Sequence, residues 1–301
     1  MTKAPSHRKG DRSERPGEVD GARSPWRGSL PTSDDMAPPV VDASLLSSGA
    51  EPALAQLWDS LAHWGFARLQ LPAGGAALWA LQSALDEMAA AAHFRFPPVE
   101  GPTRYSDAQR ASFIALFQQS RAVLGALLGY APPLAAAAPA LTAALREAPA
   151  YDEALFSSPP EAPLPFASER QPFASSFFNL FNYDHGLLNT HKDRCLVTLA
   201  YRRRAAEATA SALWIQDRGG RWWSSDALLG ERELLVLIGE ELEALAEQAG
   251  CPLYAAPHAV RVDPTGPHLE RAHHRPDPAT PPRGNRVSAA LILSHELREE
   301  P

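Results

Sequence analysis

Cysteine is scarce in this sequence of 301 residues, and an excess of positive charge is missing. The two cysteines, Cys195 and Cys251, are too few for a disulfide framework, and neither has a CxxC or Cys/His spacing typical of zinc sites. We therefore expect a reducing compartment, the cytoplasm. The formal net charge is -7 and the pI is near 5.8. This balance argues against a nucleic-acid partner, because such binding relies on a clustered basic surface.

Long apolar runs are also missing. No uninterrupted run reaches the roughly 18 residues that a membrane helix needs, so we expect no membrane association. The N-terminus lacks the apolar segment of a secretory signal, and residues 1–37 are charged and rich in Pro, Gly and Ser, which predicts a disordered tail. Its Arg and Ser content is compatible with import into an organelle, but its acidic residues argue against a transit peptide. These are Asp11, Glu14, Glu18, Asp20, Asp34 and Asp35.

The overall composition is typical of a globular protein, with 45% hydrophobic and 21% charged residues. Residues 38–155 predict a mostly helical N-terminal region that opens with a strand, a turn, a helix stopping at Gly65, and a second strand. Ser106 is a candidate cap for one of the later helices. The predicted strands cover Pro38–Leu46 (with its turn) and Phe66–Leu71, and the later helices cover Ala76–Ala92, Asp107–Leu128 and a stretch near Leu134–Glu147.

The pattern changes after a Pro/Ser-rich connector at residues 156–173. Residues 174–301 contain short β-prone runs separated by turn signals, which predicts a sandwich or barrel. One pair of runs favours a hairpin in which Gly219 and Gly220 supply positive φ at the turn. The runs "ELLVLIGEELEAL" and "LYAAPHAVRV" also favour strands.

The stretch "NTHKDRCLVTLAY" places His191 and Asp193 two residues apart at the entrance to a predicted strand. Side chains at positions i and i+2 of a strand point the same way, so both can reach one point in space. An imidazole, a carboxylate and a second imidazole form the facial triad that holds iron(II) and leaves other positions open for ligands. An isolated HxD is more often a histidine hydrogen-bonded to an aspartate, so the hypothesis requires a third ligand.

Five histidines downstream are candidates for that ligand. His258 lies in a β-prone run that a folded-back strand could carry to the metal. His268, His273 and His274 lie in a segment rich in proline and charge, which is typical of a loop. His295 is close to the C-terminus.

The run "RVSAALIL" contains a second i, i+2 pair, Arg286 and Ser288. A guanidinium group binds a carboxylate through two parallel hydrogen bonds, and a neighbouring hydroxyl can add another. Together they would bind an anionic acid. Taken alone, the pair is more typical of a surface arginine beside a structural serine.

The order of these features resembles the iron(II)- and 2-oxoglutarate-dependent dioxygenases of the isopenicillin N synthase-like, plant-type group. HxD, "LIGEELEAL", "LYAAPHAV" and Arg-x-Ser follow one another, and the opening "PPVVDASLL" with "LAHWGFARLQL" is also similar to that group. The resemblance spans Pro38 to Leu293. It implies a mainly β fold with flanking α, in which a double-stranded β-helix (jelly roll) carries the N-terminal helices packed on it.

The resemblance also implies a role for each site residue. His191, Asp193 and His258 would bind Fe(II), Arg286 would bind the distal carboxylate of 2-oxoglutarate, and Ser288 would assist it. The expected reaction uses O2, releases succinate and CO2, and hydroxylates or desaturates a small organic substrate.

The sequence departs from the family pattern at two places. The spacing of 28 residues between His258 and Arg286 is longer than in the family. Either this segment is an insertion, or His273 or His274 is the third ligand. The family's Asn-x-Tyr has no unambiguous counterpart in "FFNLFNYDHG". Asn179 and Phe181 stand at that spacing, and Tyr183, just beyond it, is a weak candidate for a contact with 2-oxoglutarate.

Two other functions stay open on the sequence. An iron oxidase of the same fold would not use 2-oxoglutarate, and a catalytically silent protein would only bind a small molecule. A zinc hydrolase would leave the Arg-x-Ser pair without a role. Cys195, two residues after Asp193, is interpreted as a buried structural thiol, and nothing in the sequence indicates the organic substrate or the oligomeric state.

Overall fold

The computed structural model describes residues 37–89, 94–96, 106–147, 173, 176–183, 188–202, 212–261 and 286–295. The predicted N-terminal tail and the Pro/Ser-rich connector lie almost entirely outside these residues, as does the segment between His258 and Arg286 beyond position 261. The described helices are α1 Ala43–Ser47, α2 Glu51–Trp64, α3 Ala76–Ala89, α4 Asp107–Tyr130, α5 Pro132–Ala137, α6 Pro139–Arg146, α7 Ser225–Leu228 and α8 Glu240–Gln248.

The N-terminal region is helical, as predicted, and individual residues define where its helices begin and end. Gly65 ends α2 in the left-handed region with φ 78°, which a glycine adopts without a Cβ penalty. Ser106 caps α4, and its hydroxyl and backbone exchange hydrogen bonds with Gln109 in a capping box. The predicted single helix near 134–147 is two helices, because Pro139 lacks the N–H that would continue α5.

Helix α4 is long and apolar enough, by length and composition, to cross a membrane. A buried core helix passes the same test, and half of its most apolar window is buried inside the protein. Phe113, Phe117 and Leu124 of this helix are almost fully buried in the largest hydrophobic cluster.

Two sheets form the β part of the fold. The larger sheet has the order β1-β2-β9-β6-β11-β4-β3, and the smaller has the order β5-β10-β7-β8. Among the described strands, every pairing is antiparallel except that of β1 with β2. The strands are β1 Val40–Asp42, β2 Phe66–Gln70, β3 Phe94–Phe96, β4 Phe177–Tyr183, β5 Leu188–His191, β6 Val197–Arg202, β7 Ala212–Gln216, β8 Trp222–Ser224, β9 Glu233–Ile238, β10 His258–Arg261 and β11 Arg286–Leu293.

The larger sheet has a different environment on each face. On β6, Val197 and Leu199 belong to the large core shared with the helices, while Thr198 and Ala200 point to a cavity on the opposite face. A second hydrophobic cluster joins the two sheets. It contains Phe66, Leu213, Ile215, Leu229, Leu235, Leu237, Ala256 and Val260.

The architecture is therefore mixed helix and antiparallel sheet. This agrees in part with the predicted mainly β fold with flanking α, but the described residues contain more helix than that prediction implies. Part of the difference lies in "ELLVLIGEELEAL", which is a strand (β9) only as far as Ile238 and then a helix (α8). Three glutamates in the first turn of α8 favour the helix there, because they interact well with its N-terminal dipole. The predicted β7–β8 hairpin is confirmed, but only Gly220 of its two glycines has a positive φ, 85°.

Candidate metal centre and its cavity

The pairing of β5 with β10 brings two distant histidines together. His258, the first residue of β10, lies opposite His191, the last residue of β5. The centroids of their rings are 4.4 Å apart. Asp193 follows His191 in the turn before β6, so its carboxylate reaches the same point from the chain segment that carries His191.

One carboxylate oxygen of Asp193 faces both imidazoles. Oδ1 lies 3.4 Å from Nε2 of His191 and 3.5 Å from Nε2 of His258. One ligand atom from each of the three residues lies within 4.8 Å of the others. The other oxygen, Oδ2, accepts a hydrogen bond of 2.6 Å from the hydroxyl of Thr198, which fixes the carboxylate with Oδ1 toward the histidines.

The hydrogen bonds of the two imidazoles determine which nitrogen is free to bind a metal. Nδ1 of His191 lies 2.8 Å from the carbonyl oxygen of Asn189, and Nδ1 of His258 lies 3.2 Å from that of Ala256. A carbonyl oxygen only accepts, so Nδ1 carries the proton in each ring. When a metal binds, the neutral ring can present the lone pair of Nε2 to it, which is the tautomer that a metal ligand requires.

The electrostatics of the group favour an ionised carboxylate. Burial raises the pKa of Asp193, but the hydrogen bonds from His191, His258 and Thr198 outweigh it, and the pKa lies well below its usual range. Conversely, the hydrogen bond to Asp193 raises the pKa of His191 above its ordinary 6.5, against the effect of burial. Without a cation, the three side chains thus attract a proton to the place where a metal would bind.

The donor set fits a divalent metal. Two imidazole nitrogens and one carboxylate oxygen are the ligands of the facial triad of iron(II) enzymes, and three protein ligands of this kind also occur in catalytic zinc sites. Each ligand is held by an outer hydrogen bond, as is usual around metal sites: each imidazole donates one to a backbone carbonyl, and the carboxylate accepts one from Thr198.

A cavity of about 370 Å³ begins at this centre and extends between the two sheets. Its size lies within the range of small-molecule sites. All three candidate ligands line it, together with Ser288, which is only 5% exposed. Its wall is otherwise mostly apolar: Phe177, Phe181, Leu188, Ala200, Leu213, Leu229, Leu235, Leu237, Val260, Ala289, Ala290 and Ile292.

Two further polar residues of the cavity were not predicted as site residues from the sequence. Asn179 on β4 is 7% exposed, and its Oδ1 has no hydrogen-bond partner among the residues that the structure describes. Arg202 at the end of β6 lies opposite Ser288 on β11 and forms an ion pair of 3.2 Å with Asp226. The signal for both was strand alternation, since Asn179 shares its face with Phe177 and Arg202 shares its face with Thr198.

The remaining predicted residues lie in several places. Arg286 stands opposite Tyr183 in the backbone register of β11 with β4, and the side chains of both lie outside the described residues. His268, His273 and His274 lie outside them entirely. His295 packs edge-on against Phe173, with ring centroids 5.7 Å apart, and is not among the three residues grouped at the centre.

Cys195 is a free, fully buried thiol, as expected for a structural cysteine. Burial raises its pKa, so it stays protonated at neutral pH.

Comparison with known proteins finds similarity of structure. No family model matches the sequence, and no curated protein matches it. The full-length Neurospora crassa protein T7H, solved in complex with alpha-KG and 5-formyluracil, has a TM-score of 0.50 and 12% sequence identity, over 87% of this chain and 86% of that chain. The Arabidopsis thaliana dioxygenase for auxin oxidation 1, in complex with 2-oxoglutarate, has a TM-score of 0.48 and 12% identity, over 87% of this chain and 94% of that chain.

The likeness to T7H covers most of both chains, and it shows a shared fold. The resemblance to the iron(II)- and 2-oxoglutarate-dependent dioxygenases, predicted from the sequence, is thereby confirmed as a likeness of fold.

Proposed function

We propose that this protein is an iron(II)- and 2-oxoglutarate-dependent dioxygenase that hydroxylates or desaturates a small organic substrate. The observation that carries the proposal is the convergence of His191, Asp193 and His258 at one end of a buried, mostly apolar cavity. Three protein ligands on one side of a metal leave its other positions facing a space that could hold a cosubstrate and a substrate. The two sheets would then be the two halves of a jelly roll.

The protein residues would have distinct tasks in this reaction. Nε2 of each histidine and Oδ1 of Asp193 would hold the iron, and Thr198 would keep the carboxylate ionised and oriented. The iron, when bound, would supply the oxidative chemistry with O2, as a cofactor does. The apolar wall would exclude water from the reacting groups and hold the substrate beside them.

The proposed binding site of the cosubstrate is the end of the cavity at Ser288. Ser288 and Arg286 are two residues apart on β11, so a guanidinium and a hydroxyl could together bind the distal carboxylate of 2-oxoglutarate. Tyr183 stands opposite Arg286 on β4 and is a further proposed contact. The alpha-KG of the T7H complex is this same compound, which supports the choice of cosubstrate.

Arg202 is an alternative candidate for the arginine that binds the cosubstrate. It lines the cavity beside Ser288, but its guanidinium is already engaged by the carboxylate of Asp226 and by the carbonyl oxygens of Asp226 and Leu229. We therefore assign it the task of holding helix α7 against the cavity, and we leave the carboxylate of 2-oxoglutarate to Arg286.

Succinate formation tests the proposal. Metal-free protein is given iron(II), 2-oxoglutarate and ascorbate without an organic substrate, beside a His191→Ala variant. Slow succinate production that requires iron and is lost in the variant is the expected result. If iron binds but no succinate forms and 2-oxoglutarate does not bind, an iron oxidase of the same fold is favoured, and if iron does not bind, a small-molecule binding protein is favoured.

A further inference from the structure

Lys192 stands between the two candidate ligands of the HxD segment, and its side chain leaves the centre. Because side chains alternate along an extended chain, it points away from the face that His191 and Asp193 share. Its ammonium nitrogen donates a hydrogen bond of 2.8 Å to Oε2 of Glu243 on α8. The same nitrogen lies 5.2 Å from the ring centroid of Tyr254, within the range of a cation–π contact.

The carboxylate of Glu243 has a second partner in the segment that leads to the third ligand. Its Oε1 accepts a hydrogen bond of 3.0 Å from the backbone N–H of Ala255. The next residue, Ala256, provides the carbonyl oxygen that accepts from Nδ1 of His258. One carboxylate, 17% exposed, thus connects the segment carrying two ligands with the segment carrying the other.

Helix α8 holds this carboxylate rigidly against the HxD loop. The backbone N–H of Glu240 donates 2.8 Å to the carbonyl of Asp193, and that of Glu241 donates 3.1 Å to the carbonyl of Cys195. The first turn of the helix is therefore fixed to the loop itself, and Glu243 in the same turn has little freedom to move relative to it.

From these contacts we infer that Glu243 is a positioning residue for the metal centre. Together with Lys192 and the N–H of Ala255 it forms a clamp, which fixes the distance between the His191–Asp193 pair and His258. The two segments are 67 residues apart in the sequence, counted from His191 to His258. Beside the β5–β10 pairing, the clamp is a further connection between these two segments, and it helps to keep the ligand atoms at metal-binding separation before a metal arrives. This inference rests on the proposed function, since it presumes that the centre binds a metal.

Anaerobic titration of the full-length, metal-free protein with cobalt(II) tests the clamp. Glu243→Gln removes the charge that binds Lys192 but leaves an oxygen for Ala255, and Lys192→Met removes the other partner. We expect each variant to bind cobalt(II) roughly tenfold more weakly, since loss of outer contacts around metal ligands costs about 10- to 100-fold in affinity. The double variant should be no weaker than either single one, because both changes break the same interaction.

A matched control lies on the same helix. Glu240 faces Arg194 across an exposed pair of 3.8 Å, with side chains 48% and 92% exposed. Glu240→Gln removes the same charge three residues earlier in the same turn and keeps the backbone N–H that binds Asp193, so its cobalt(II) affinity should equal that of the unsubstituted protein. The ligand-field absorption of the bound cobalt should change in Glu243→Gln and stay unchanged in Glu240→Gln, which a general loss of stability would not produce.

Each outcome decides one of the two claims. If the unsubstituted protein binds cobalt(II) and Glu243→Gln binds it equally tightly with the same spectrum, the clamp is wrong and the proposed function stands. Additive losses in the double variant would also overturn the clamp. If the unsubstituted protein binds no metal at all, the proposed function fails, and the clamp fails with it.

Discussion

At the scale of single residues, the centre is organised by one carboxylate. Oδ1 of Asp193 faces the two imidazoles, and Oδ2 accepts a hydrogen bond from Thr198, so each oxygen of the carboxylate has its own partners. In the metal-free protein the shared proton stabilises the fold, because the pair of His191 and Asp193 attracts it more strongly than the unfolded chain does.

This leads to a prediction about pH. The pKa of His191 is raised in the folded protein, so its contribution to stability is complete below its unfolded value of 6.5 and is lost as the pH rises through the higher folded value. We expect the stability difference between the metal-free protein and a His191→Gln variant to shrink as the pH is raised from 6.5 into the alkaline range. Urea unfolding at several pH values measures it. A difference that stays constant over that range would contradict the raised pKa.

A second prediction concerns Asn179. A buried polar atom without a partner costs about 1–3 kcal/mol, and the Oδ1 of Asn179 is such an atom. Asn179→Leu keeps a similar volume, so we expect the unfolding free energy to stay equal or rise. We expect succinate formation to fall, because the variant removes one of the few polar groups of the cavity. A loss of more than about 1 kcal/mol on urea unfolding would mean that the amide has a stabilising partner.

At the scale of elements, the contact of α8 with the HxD loop depends on a glycine. A Cβ added to Gly239 would lie 2.1 Å from the carbonyl oxygen of Cys195, which no side chain tolerates. The close approach is what allows the first N–H groups of α8 to reach the carbonyls of Asp193 and Cys195.

Gly239→Ala should therefore displace the loop. We expect it to lower the unfolding free energy by roughly 1–3 kcal/mol, as overpacking does, and to weaken metal binding. Gly125→Ala in α4 is the matched control, since an added Cβ there meets nothing within 4 Å and alanine favours the helix by up to about 1 kcal/mol. Equal stability of the two variants on urea unfolding would show that the close approach is unimportant.

Local signals in the sequence predicted some elements and missed others. Gly65 and Ser106 set helix ends through their own backbone and side-chain chemistry, and both were predicted. The prediction of a strand for "EELEAL" was wrong. Apolar residues near glutamates fit a strand or a helix over a short window, and the contact of α8 with the HxD loop is a tertiary contact that the sequence does not reveal.

Local signals in the sequence also indicated part of the candidate site. Spacing alone placed His191 beside Asp193, while the approach of His258 depends on a long-range pairing of β5 with β10, for which the resemblance to a family was needed. Strand alternation gives the faces on which Asn179 and Arg202 lie, but which of these faces borders the cavity depends on how the two sheets pack.

At the scale of the whole molecule, the candidate metal centre joins two strands of the smaller sheet to the central strand of the larger one. His191 and His258 belong to β5 and β10, and Asp193 is bound to Thr198 of β6. A bound metal should therefore stabilise the entire fold, because the unfolded chain does not hold the three ligands together.

Metal-dependent unfolding measures this coupling. A ligand at about 100 times its dissociation constant adds about 2.7 kcal/mol to the stability of the state that binds it. We expect cobalt(II) at that excess to raise the unfolding free energy by about this amount and a chelator to reverse the gain. Asp193→Ala should show no such gain, and a gain of equal size in that variant would mean that the metal binds elsewhere.

The most direct test of the account is the visible absorption of the anaerobic protein with iron(II) and 2-oxoglutarate. A chelate of iron by the keto acid gives a metal-to-ligand band, which reports both the triad and the cosubstrate. We predict that the band forms in the unsubstituted protein and in a His273→Ala/His274→Ala variant, and is lost in His191→Ala, Asp193→Ala and His258→Ala. A band that persists without His258 and disappears without His273 and His274, or no band in the unsubstituted protein, would contradict the account.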